Sequence, residues 1–147
     1  MYYRTSSIIK AGRWQVCLFN NCNIHVGGGN MKIRLLLFPY YVTPESARTF
    51  SPVFFAELDR LGVEIKPEWW NGMLEGIKPS PSDKPTIVRA SSQMKCDETE
   101  LALRCEKLGF FLFYNDLWLF SVGRPVGGEE MVEGFRMWVR GRRKIEA

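Results

Sequence analysis

Two apolar runs, Leu35–Phe38 and Phe110–Tyr114, constrain this chain most. Each has the length of a strand, and no stretch of 18 or more apolar residues occurs, so a membrane-spanning helix is not expected. A third run, Leu117 to Val122, follows Phe110–Tyr114 after Asn115-Asp116, a pair suited to a two-residue hairpin turn. Both arms of that hairpin are apolar at nearly every position, not at alternate ones. A sheet containing such strands needs cover on both faces.

The remaining elements follow from punctuation. Residues 32–38 read as a buried strand. Thr43-Pro44-Glu45 opens a helix, with a capping hydroxyl, proline at the first helical position and an acid in the first turn. Pro52 predicts a kink or a fresh start there, with Ser51 as its cap, and Phe54, Phe55, Leu58 and Leu61 continue at helical spacing to Gly62. Val63-Glu64-Ile65 reads as a second strand and Thr86–Ala90 as a third. Between them, residues 67–84 are irregular, with a helical turn expected over Trp69–Leu74. Asp97 with Glu100 caps a helix running to Leu108, and Gly109 stops it. After a loop over Gly123–Gly128, Glu129-Glu130 opens a last helix, whose face of Met131, Val132, Phe135, Trp138 and Val139 extends to about Arg140.

The expected order is β-α-β-β-α-β-β-α, an α+β fold in one small domain. Its first six elements match the ferredoxin-like split βαβ order, with a strand and a helix added at the C-terminal end. The length of 147 residues fits one domain, and aromatic residues at 14% can build a core and leave surface for a partner.

Charge is unevenly spread. The net +4 gathers at the two ends, while residues 31–133 carry 12 basic against 15 acidic residues. Residues 1–30 contain no acid and end in Val26-Gly27-Gly28-Gly29-Asn30, just before Met31. A purine-rich ribosome-binding sequence encodes such glycines, so Met31 is expected as the native start, in a bacterium or its phage. The competing expectation is a basic arm or an organelle-targeting peptide. Residues 31–147 then form the domain proper, with a basic tail.

Little in the sequence points to catalysis. The sole histidine, His25, lies in the doubtful segment, and the acid pairs Asp97-Glu98 and Glu129-Glu130 sit where helix starts call for acids. Cys17, Cys22 and His25 are spaced too loosely for structural zinc. Cys96 and Cys105 are expected as reduced thiols. Glu129 and Glu130 would repel a phosphate from the glycines at 123–128. No cofactor or metal is expected.

Two binding readings remain. The first is a non-catalytic, cytoplasmic protein-binding module, an accessory protein of a bacterium or phage, which docks a partner or a second copy through Trp69, Trp70, Phe111, Phe113 and Trp118. The alternative is nucleic-acid binding by the arginine-rich end, Arg136, Arg140, Arg142, Arg143 and Lys144.

Overall fold

The computed structural model describes residues 31–38, 41–70, 73–91 and 96–146, with side chains up to Gly141. The described residues divide into two units, one within 32–57 and 65–146, the other Met31 with 58–64. In the smaller unit, the end of a helix closes in a left-handed turn at Gly62, φ 69°. The N–H groups of Gly62 and Val63 donate to the carbonyls of Asp59 and Leu58, a Schellman arrangement, and the Glu64 N–H then donates to Met31 O.

The described elements are β1 (Lys32–Leu37), α1 (Pro44–Phe50), α2 (Pro52–Leu61), β2 (Glu64–Trp69), a 3-10 turn (Leu74–Gly76), β3 (Thr86–Arg89), α3 (Glu98–Leu108), β4 (Phe111–Tyr114), β5 (Leu117–Trp118), β6 (Val126–Gly127) and α4 (Gly128–Glu146). The strands form one sheet in the order β2-β1-β3-β4-β5-β6. β3 lies parallel to both β1 and β4. Hydrogen bonds from Glu64 N to Met31 O and from Trp70 N to Leu37 O advance in the same sense along both chains, so β2 is parallel to β1 as well. The antiparallel pairs are β4 with β5 and β5 with β6, so β5 alone runs against the other strands.

The fold is thus mixed α/β with a six-stranded sheet and four helices among the described residues. These pairings do not give the ferredoxin-like order. A ferredoxin-like sheet sets its four strands in the order 4-1-3-2 with all neighbours antiparallel, whereas here β2-β1-β3-β4 are neighbours and β1, β3 and β4 pair in parallel. The apolar runs of β1 and β4 carry the physical reason, since strands buried on both faces suit a parallel sheet sandwiched between helices.

Both faces are covered. On one, Phe54 and Phe55 of α2 and Phe135 of α4 meet Phe111 and Phe113 of β4; Phe54 lies 4.7 Å from Phe113 and 5.0 Å from Phe135, centroid to centroid. On the other, Leu101, Ala102 and Cys105 of α3 pack with Leu36, Val88, Leu112 and Trp70. Helix α3 is capped as expected: Asp97 accepts from the N–H groups of Thr99 and Glu100, and Gly109, φ 74°, ends it.

Several boundaries differ from the sequence reading. β2 is longer than Val63–Ile65 and takes in Pro67, which an edge strand tolerates because its outer N–H needs no partner. The helical turn forms at Leu74–Gly76, not from Trp69, because Trp69 still belongs to β2. The hairpin arm β5 stops at Trp118, a short strand β6 appears within the expected loop, and α4 continues past Arg140 to Glu146. Pro52 does start a fresh helix, but Ser51 does not cap it: its hydroxyl donates to Asn115 O. The cap comes from Asp116 in the hairpin turn, whose carboxylate accepts from the N–H groups of Val53 and Phe54.

Candidate functional site at the carboxyl edge of the parallel strands

The parallel strands leave their carboxyl ends on one edge, and the chain turns there from β1 to α1, from β2 to the 3-10 turn and from β3 to α3. The β1 crossover joins its neighbour on one side, and the β3 crossover joins β4 on the other. The two crossovers also cover opposite faces, so the carboxyl ends of β1 and β3 are the topological switch point of the sheet, the position at which open α/β sheets bind ligands.

Trp69 ends β2 at this edge and Trp70 follows it, and the two side chains part there. Trp70 is buried, 5.3 Å from the Phe38 ring, and its indole N–H donates to Met73 O at 2.6 Å. Trp69 stays 46% exposed while its indole N–H is held by Val42 O at 2.6 Å. Tyr41, next to Val42, and Met73, whose carbonyl holds the Trp70 indole, are also about half exposed. The expected aromatic surface therefore shrinks. Phe111 and Phe113 have no accessible surface and serve the core. Trp118 is half-buried, stacked on Phe111 at 4.8 Å, and covers Gly134 of α4.

The basic end is also reduced. Arg136 is held by Glu57, Nε to Oε2 at 3.0 Å and Nη2 to Oε1 at 3.1 Å, and also contacts Glu133. This two-pronged pair answers the buried Glu57 carboxylate and raises the pKa of Arg136 above its ordinary value. Arg140 is exposed, and the side chains of Arg142, Arg143 and Lys144 lie outside the described residues.

Cys96 and Cys105 are free thiols. Burial pushes the Cys105 thiol up to about 12, and burial with the nearby Glu100 and Asp97 raises Cys96. Neither is poised as a thiolate. No cluster of three potential metal ligands occurs among the described residues, and Cys17, Cys22 and His25 lie outside them. No described helix is long and apolar enough to cross a membrane. An open groove of about 480 Å³ beside α3 is lined by Leu74, Leu103 and Leu108 with Glu100, Arg104 and Lys107, cations and acid mixed.

Two buried arginines were not singled out by the sequence. Arg34 on β1 is fully engaged: Nε donates to Thr86 Oγ1 at 2.8 Å, Nη1 to Glu68 at 3.2 Å and Nη2 to Lys78 O at 2.6 Å. Arg89, the last residue of β3, is 7% exposed. Its guanidinium lies over the Tyr114 ring, 5.4 Å from the centroid, and its Nε is buried without a hydrogen-bond partner. No ion pair reaches it among the described residues. Burial lowers its pKa from the ordinary value, only partly opposed by Tyr114.

Fold and edge define a class: a small α/β sheet wound with helices on both faces, extended by an antiparallel hairpin. Beyond that class, no family model matches the chain, and no curated protein or solved structure matches it either.

Proposed function

We propose that this chain is a non-catalytic protein-binding module that docks its partner through the carboxyl edge of β1 and β2. The observation that carries the reading is Trp69: half exposed, yet fixed by its indole hydrogen bond to Val42 O. Tyr41 and Met73 are exposed apolar residues of the same edge. Aromatic and methionine side chains are enriched at interfaces, and an aromatic ring held in one orientation loses little entropy on binding. The sheet edges themselves are poor docking sites, because β2 carries Pro67 and β6 has two residues.

The test places a photo-crosslinking benzophenone at Tyr41 in producing cells, with Met137 on α4 as the control position. The expected result is one discrete adduct from position 41, lost on Trp69→Ala, and none from 137. A dimer adduct would identify the partner as a second copy. No adduct from 41, or equal labelling from both positions, refutes the proposal. The alternative, polyanion binding by Arg140, Arg142, Arg143 and Lys144, predicts salt-steep nucleic-acid binding that Trp69→Ala leaves intact.

A further inference from the structure

We propose that Arg89 is the anchor of a binding site for a small oxyanion ligand, carrying a phosphate or carboxylate group, at the carboxyl end of β3. The argument begins with cost. A buried charge without a partner costs several kcal/mol, and proteins place one inside only when something compensates it. Arg34, on the neighbouring strand, has that compensation for each guanidinium nitrogen. Arg89 has the π face of Tyr114 and no carboxylate among the described residues.

The sequence around the site supplies none either. β1, β3 and β4 contain no acid. The nearest acid along β4 and its turn, Asp116, is spent on the amides that open α2. The missing negative charge is therefore assigned to a ligand.

Position and shape agree with this. Arg89 ends the central strand β3 at the point where the crossovers diverge, the place such sheets offer to ligands. The unpartnered Nε lies on the edge of the guanidinium that pairs with an adjacent Nη to grip two oxygens of one oxyanion. At 7% exposure the residue is too buried to meet the backbone of a polymer, which limits the ligand to a small anion. This site does not depend on the protein partner proposed above, since it shares no residue with the exposed surface of Trp69, Tyr41 and Met73.

The test reads the Arg89 Nε–H resonance of the full ¹⁵N-labelled chain during titration with inorganic phosphate, with acetate, and with sodium chloride as the ionic-strength control. The expected result is a saturable shift with phosphate or with acetate, absent with chloride. Whichever anion acts at the lower concentration separates a phosphoryl ligand from a carboxylate one. Arg89→Lys keeps the charge without the fork, and is expected to weaken binding at least tenfold. Arg89→Met removes the charge at similar volume; it is expected to fold and to lose the rise in melting temperature that the anion gives the parent chain. If neither anion moves the resonance beyond the chloride control, or if Arg89→Met retains the full anion-dependent rise, the proposal is overturned.

Discussion

Replacing Gly134 by alanine tests the seam between α4 and the hairpin. A Cβ at 134 would come within 2.5 Å of Trp118 Cε3 and closer still to Cζ3. The ring cannot simply swing away. It is stacked 4.8 Å from Phe111 on one side and lies 4.6 Å from Phe120. Phe111 is in turn fixed by Phe54 and Phe135. Forcing an extra methyl group into such packing costs about 3 kcal/mol, the upper end for overpacked cores. The better helix propensity of alanine returns about 1 kcal/mol. The expected net loss is about 2 kcal/mol, a fall in melting temperature of about 4–8 °C for a chain of this size. Urea denaturation followed by tryptophan fluorescence measures it. Trp118→Leu clears the space, so the double variant is expected to be more stable than the sum of the single losses, by at least about 1 kcal/mol. A neutral or stabilising Gly134→Ala, with no coupling to position 118, would refute the packing argument.

Three further outcomes follow from the helix-to-sheet contacts. Asp116→Ala removes both side-chain acceptors at the start of α2 and is expected to cost about 1–2 kcal/mol by chemical denaturation, whereas Ser51→Ala should cost less. Arg136→Met removes the two-pronged partner of the buried Glu57 carboxylate and is expected to cost about 3 kcal/mol, most of it recovered by adding Glu57→Gln. Cys105 stays protonated in the folded chain up to about pH 12 while the unfolded chain ionises near its ordinary value, so the folded state binds more protons between the two. Stability contributed by the neutral thiol is therefore whole at pH 7 and falls as pH rises above about 9, a slope that Cys105→Ala should flatten in pH-dependent unfolding.

Local chemistry was legible. Thr43-Pro44 and Asp97 start helices where their side chains promise, and Gly62 and Gly109 stop them in left-handed turns. What escaped was chemistry across distance. The acceptor for the amides of Val53 and Phe54 lies more than sixty residues on, in a turn recognised only as a turn. Pairing direction escaped for the same reason. The unbroken apolar runs of β1 and β4 already carried the mark of strands covered on both faces, but element order alone is shared by parallel and antiparallel sheets. Aromatic residues in β4 were read as surplus surface because their cover, Phe54 and Phe135, comes from helices on either side of them in the chain.

The arginines show why a site can be invisible in sequence and plain in structure. Arg34 and Arg89 occupy neighbouring strands of one sheet, each followed or flanked by apolar residues. Nothing local separates them. Their difference is made by what folding brings to each: a hydroxyl, a carboxylate and a carbonyl to Arg34, and an aromatic face to Arg89. Hydrogen bonding makes Arg34 part of the scaffold that ties β1 to Thr86, Glu68 and Lys78. The same residue type, left with a bare Nε at the opposite end of the parallel strands, adds a buried charge that the described fold does not offset. A charge of that kind lowers stability wherever it is only structural, so removing it should stabilise the empty protein, and retaining it is explained when an anion completes the site.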